Sequence, residues 1–187
     1  NHFVFIQKSF LTDFCKKIKM PQKIISYNSI SQLSEGMGYG KPTHPLITIF
    51  DYSQLAYGKE MIGQKFSNDL YCIALKDASC GIDYGRNHYD FNDGVLVFIG
   101  PKQVITLTKV QELNSVKGWM LYFHADLIRN TALGTNIDDY SFFSYEVHEA
   151  LHLSDQEEKI ITNCINMIQT EINERIDNHS QQVIVSN

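Results

Sequence analysis

Seven histidines and four cysteines are the side chains in this sequence best suited to holding a metal or attacking an electrophile. A metal site inside a β-barrel needs two histidines one residue apart on a strand, a carboxylate and a distant third histidine, all converging on one point. No His-x-His pair occurs: His88 stands alone in Arg86-Asn-His-Tyr-Asp90, and His124 follows an apolar run by itself. His148 and His152 have the i, i+4 spacing that sets two ligands on one helical face. Their neighbours Val147, Ala150, Leu151 and Leu153 read as a helix end, so neither a metal site nor an adjoining general base is expected there. Nucleophilic catalysis has no Gly-x-Ser-x-Gly turn to work from, and the cysteines at 15, 72, 80 and 164 stand in no activating motif. The carboxylate pairs Asp138-Asp139 and Glu157-Glu158 fall in polar loop or helix-start contexts, where charges are solvated. Gly36-Met-Gly-Tyr-Gly40 is rich in glycine but runs into Lys41-Pro-Thr-His-Pro45 instead of opening a phosphate-binding helix. The sequence therefore reads as a non-enzyme with no resident cofactor.

Binding is the chemistry left. Tyr71, Tyr84, Arg86, His88, Tyr89, Trp119 and Tyr122 are suited to line a small-molecule cavity with apolar walls and scattered donors. Arg86 in particular would seek a carboxylate or an anionic ligand. The elements that must position them are short strands. Leu46 to Phe50, Leu70 to Leu75, Gly94 to Pro101, Gln103 to Thr108 and Gly118 to Phe123 are apolar runs separated by Gly, Pro, Asn and Asp. Such spacing predicts a barrel or sandwich, not βαβ units. Upstream, Leu11, Phe14, Cys15 and Ile18 mark one face of a helix with Ser9 as a possible cap, stopped by Pro21. A short strand over Lys23–Tyr27 and a short helix over Ser29–Glu35 follow.

After residue 125 the periodicity becomes helical. Ser154 and Glu157 form a capping-box signature, with Asp155 and Glu158 adding charge that suits the first turn. Ile160, Ile161, Cys164, Ile165, Met167, Ile168, Ile172 and Ile176 then repeat at three and four. This stripe is wide enough for two lines. One reading packs the helix on the barrel's own outer face, the other pairs it antiparallel with a second subunit, and two lines allow both. Ile161, Ile165, Ile168 and Ile172 are the candidate dimer interface, and Ile160, Cys164 and Met167 form the other line. Asp177 to Ser180 reads as the start of a further helix whose apolar pattern is still running at Asn187, as in a chain trimmed before its next domain.

The bulk properties narrow the class. A 43% hydrophobic content over 187 residues supports a packed core and excludes a disordered chain. A net charge of −5 makes the chain itself a poor partner for nucleic acid, since phosphate affinity comes from clustered Lys and Arg. No run approaches the roughly 18–20 apolar residues that span a bilayer, and no signal-peptide order opens the sequence. Four scattered cysteines suit a reducing compartment, so a cytoplasmic protein without membrane contact is expected.

Several segments resemble the N-terminal regions of AraC-family transcription regulators. Thr43-His-Pro-Leu-Ile-Thr-Ile-Phe-Asp51 resembles the opening barrel strand. Asp83-Tyr-Gly-Arg86, Tyr89-Asp-Phe91 and Gly94 to Pro101 resemble the central hairpin. Gly118 to Leu127 is similar to the next strand and turn, and Phe142 to Ser154 to the lead-in of the first linker helix. The resemblance covers residues 43 to 187. It implies a cupin-like barrel (double-stranded β-helix, or jelly-roll) followed by a C-terminal helical dimerisation region, mainly β with α. The implied division is 1–125 for the arm and sensory barrel and 126–187 for the helical dimerisation region. It further implies a bacterial, homodimeric regulator that binds a small-molecule effector and contacts DNA only through a separate helix-turn-helix domain. A stand-alone cupin enzyme (isomerase or oxygenase) and a dimerisation module with no ligand are the alternatives.

Overall fold

The apolar runs have no polar side to offer water, and the fold covers both of their faces. The computed structural model describes residues 24–55, 61–76, 82–84, 87–88, 95–107, 118–143, 151–174 and 184–186. The strands form two sheets. The first holds β1 (Ile24–Tyr27), β3 (Lys65–Asn68), β8 (Ile105–Leu107), β5 (Ile82–Tyr84) and β6 (Asn87–His88), hydrogen-bonded in that order. The second holds β10 (Leu151–His152), β7 (Val95–Ile99), β4 (Tyr71–Lys76), β9 (Gly118–Phe123) and β2 (Ile47–Asp51). Every ladder is antiparallel except β1 with β3. The chain is thus mixed β and α, with two antiparallel-rich sheets and a long helix near its C-terminal end. The two sheets are separate ladders among the described residues and are not closed into a barrel.

Four α-helices accompany them among the described residues: α1 (Ile30–Gly36), α2 (Ala125–Ile128), α3 (Ala132–Asn136) and α4 (Asp155–Asn173). Each start is marked by a side chain that satisfies an otherwise orphan N–H. Ser29 Oγ accepts from Gln32 N–H at 3.3 Å, and His124 Nδ1 accepts from Asp126 N–H at 3.2 Å. Helix α4 has the full capping box: Glu157 N–H donates to Ser154 Oγ (3.4 Å), and Ser154 N–H donates to Glu157 Oε2 (2.8 Å). The Ser154 hydroxyl, donating to Glu157 Oε2 at 2.6 Å, and then the Ser154 N–H hold the Glu157 carboxyl below its ordinary pKa. The helix expected over residues 9–18 lies outside the described residues, and of the last expected helix only a turn at 184–186 is described.

Register assigns every strand residue of the second sheet to one of two faces. The pairs Cys72 with Tyr122 and Ala74 with Met120, beside Ile99, Val97 and Phe50, look toward the first sheet. Tyr27 and Ile105 of the first sheet pack on that cluster, together with Leu33 of α1. The alternate rows, Ile73 with Leu121 and Phe98, and Leu75 with Trp119 and Leu96, look the other way. Ile165, Ile168 and Ile172 of α4 cover this second face, with Leu127 and Ile128 of α2. The second sheet is therefore the middle of three layers. That is why β7 reads Val-Leu-Val-Phe-Ile without alternation, although its neighbours are antiparallel. No helix among the described residues is long and apolar enough to cross a membrane.

Candidate functional site

Among the described residues, cavities lie on both faces of the middle sheet, and size and lining distinguish them. Between the sheets lies a space of about 90 Å³, walled by Tyr27, Phe66, Asn68, Cys72, Met120 and Tyr122 among others. Burial raises the Tyr27 phenol above its ordinary pKa. Asn68 is buried here but satisfied, its Oδ1 accepting from Leu70 N–H at 2.9 Å. Ligand pockets run at roughly 300–1,000 Å³, so this space is core, not a pocket for a metabolite.

The outer face carries a cleft of about 390 Å³. Its floor is the sheet, through Ile47, Ile73, Phe98, Trp119, Leu121 and Phe123. One wall is α4, through Ile161, Cys164, Ile165 and Ile168, and the other is built from Leu127, Ile128, Leu133 and Ile137. Tyr140, Phe142 and Phe143 line its margin, joined by Ile184 and Val185 from the turn at 184–186.

The aromatic margin is held by ring contacts and by backbone. Phe98 meets Phe142 at 4.4 Å and Phe143 edge-on at 5.4 Å. Tyr71 stacks on Phe123 at 5.1 Å and meets the edge of Phe143 at 5.1 Å. Such offset and edge-to-face pairs contribute about 0.5–1.5 kcal/mol each beyond the area they bury. Burial, with Asp138 adding a like-charge effect, raises the Tyr71 phenol. Gln103 Nε2 donates to the Phe143 carbonyl at 3.3 Å, and Gln103 Oε1 accepts from Gly100 N–H at 3.2 Å. Gly100 is required there, because a Cβ would run into the Phe143 carbonyl.

Trp119 closes one end of the cleft and also borders a second, polar recess of about 510 Å³ lined by Asp51, Ser53, Glu158, Thr162, Asn166 and Gln169. The indole is 8% exposed, and its Nε1 is buried without a hydrogen-bond partner among the described residues.

The residues expected to form one pocket are divided by the sheet. Trp119 borders the outer cleft and Tyr71 belongs to its aromatic margin, whereas Tyr122 faces the space between the sheets. Trp119 and Tyr122 are three positions apart on one strand, and odd separations point to opposite faces. That parity was available in the sequence. Tyr84 and His88 lie on the β5–β6 hairpin of the other sheet, where Tyr84 pairs with Asn87 and Asp83 with His88. Arg86 and Tyr89 lie outside the described residues.

Ile161, Ile165, Ile168 and Ile172, expected to meet a second subunit, are turned onto their own sheet instead. The last three are 3–7% exposed and belong to the core cluster that includes Leu75, Leu96 and Trp119. Side chains so covered within one copy have little surface left to give another. The open side of α4 carries Ile160 and Met167, 55% and 49% exposed.

Glu149 completes a His148-Glu-Ala-Leu-His152 string, which the expectation of no adjoining base overlooked. Metal binding by that string needs both histidines on one helical turn. Leu151–His152 is instead a strand paired with Leu96 and Val95, and residues 148–150 lie outside the described residues. No group of three or more His, Cys, Asp or Glu among the described residues is placed to hold a metal ion. Neither a family model nor a curated protein matches the chain.

Proposed function

We propose that this chain is the ligand-sensing and dimerisation region of a bacterial, cytoplasmic AraC-type transcription regulator. Its second sheet and the sheet facing it would be the two halves of a cupin-like barrel. Contact with DNA would belong to a separate helix-turn-helix domain of the parent protein, and the regulator would act as a homodimer. The segments resembling that family supply the class, and one structural observation carries the mechanism. The 390 Å³ cleft has the sheet as its floor and α4 as its wall. A ligand entering it touches rigid sheet on one side and a capped, nineteen-residue helix on the other. Occupancy therefore favours one seating of the helix over another, and a ligand shifts an equilibrium only through such a difference in affinity. A factor of ten in that difference is about 1.4 kcal/mol, comparable to about two methylenes of α4 gaining or losing cover.

The test is a mobility shift of the full-length gene product on its own promoter, titrated with candidate metabolites. A change of at least fivefold in promoter affinity with one of them is expected. Identical affinity with every candidate would sink the sensory reading.

A further inference from the structure

Resting on the reading of the outer cleft as a sensory pocket, we propose that its ligand is a neutral, predominantly apolar small molecule. An uncharged aliphatic or aryl compound fits; a sugar, a carboxylate or a phosphate does not. The walls decide this. The cleft is large enough for a metabolite, yet among the described residues that line it none is Asp, Glu, Lys, Arg or His. The polar side-chain groups along it are the Trp119 indole N–H, the Tyr140 and Ser186 hydroxyls and the Cys164 thiol. A charged ligand would surrender its hydration and meet no counter-ion, which costs far more than the apolar contacts return. A polyhydroxylated ligand fares little better, since each buried hydroxyl needs a partner of its own. Among the described residues the buried Trp119 Nε1 is an unpaired donor, which can serve one acceptor such as a lone hydroxyl but not a set of them.

The surroundings point the same way. Beyond Trp119 the nearest polar recess carries Asp51 and Glu158, so an anion is disfavoured from that side also. Against this, the rings of Phe98, Phe142 and Phe143, set 4.4–5.4 Å apart, offer faces and edges to an alkyl chain or another ring. Arg86, expected to seek an anionic ligand, lies outside the described residues.

Trp119 is the only tryptophan in the sequence, so intrinsic fluorescence reads the end of this cleft directly. The experiment titrates the 187-residue chain with n-octanol, octanoate and octylammonium, which share a tail and differ in charge. Octanol is expected to give a saturable change in Trp119 emission, with the two ions binding at least tenfold more weakly. Octanoate or octylammonium binding as well as octanol would overturn the proposal, and so would the lack of any saturable response to octanol. Cys164→Phe fills the cleft from α4 and should weaken octanol at least tenfold, whereas Met167→Phe, on the open side of that helix, should leave it unchanged. An undiminished response in Cys164→Phe would overturn the placement of the site. Should that variant fail to fold, the comparison of head groups on the unaltered chain still decides the ligand class. Octanol binding beside a promoter affinity that answers to no metabolite would leave this site standing and remove the sensory reading. Octanoate binding beside a responsive promoter would do the reverse.

Discussion

Replacing Ile168 by Ala tests which side of α4 the fold uses. Ile168 is 5% exposed and packs in one cluster with Leu121, Phe123 and Trp119. Truncations of this kind cost about 2–5 kcal/mol, the sum of lost transfer free energy and the void left behind. Because Ile168 borders an existing cleft, part of the new space merges with volume already open, which places the cost at about 2–3 kcal/mol. In a chain of this length each kcal/mol moves the melting temperature by about 2–4 °C, so a fall of about 4–12 °C is expected. Met167, the adjacent residue, is 49% exposed, and Met167→Ala should stay within about 0.5 kcal/mol. The assay is thermal unfolding followed by circular dichroism at two protein concentrations about a hundredfold apart. An interface between subunits makes stability depend on concentration, whereas packing inside one chain does not. The reasoning predicts a loss in Ile168→Ala that is the same at both concentrations. It fails if that variant melts like Met167→Ala, or if raising the concentration restores its stability.

Three further outcomes follow from single contacts. Ser154→Ala removes the cap of α4 and should cost about 1 kcal/mol, read as a fall of about 2–4 °C; an unchanged melting temperature would show that the capping box is not holding the helix start. His44 is 5% exposed, and burial lowers its pKa below the ordinary 6.5, while its Nδ1 accepts from Leu46 N–H at 3.0 Å. The unfolded chain therefore takes the proton first, so the stability His44 contributes is complete above about pH 6.5 and is lost as the pH falls toward its lower folded value. His44→Asn keeps an acceptor without a titrating ring and should flatten melting temperature against pH in that window; an unaltered slope would rule out His44 as its source. Finally, with His152 held in a strand, EDTA should leave the melting temperature unchanged, and a drop on chelation would revive the His148–His152 pair as metal ligands.

Local signals in the sequence were read well where one turn or one strand carries them. The Ser154 and Glu157 pair located the start of α4, and the run from Val95 to Ile99, set between glycines, located β7. Gly118 to Phe123 was read to the residue. Lys65–Asn68 was missed as a strand because Lys-Phe-Ser-Asn has too little apolar content to stand out, and its place is set by pairing with β1 and β8. Leu151–His152 carries a helical signal through Ala150, Leu151 and Leu153, yet Leu151 and His152 pair with the edge of β7.

The candidate site was legible only as composition. Tyr71, Trp119 and Tyr122 are rightly strand residues, but a strand presents alternate side chains to opposite faces, and register decides which face meets which layer. The residues that do surround the cleft come from β2, β4, β7, β9, α2, α3, α4 and the turns at 141–143 and 184–186, and so from most of the chain between Ile47 and Ser186. No local pattern brings Phe98, Phe143 and Ile165 together.

The apolar stripe of α4 divides the two kinds of knowledge most clearly. Its existence and its start are written in residue types, because helical periodicity and capping act within a few positions. What the stripe meets is not written there. Ile165, Ile168 and Ile172 are equally suited to a second subunit or to a sheet, since apolar burial has no direction of its own. The choice fell to the outer row of Ile73, Leu121 and Phe98, which leaves the middle sheet with a second uncovered apolar face that the nearest amphipathic helix can bury.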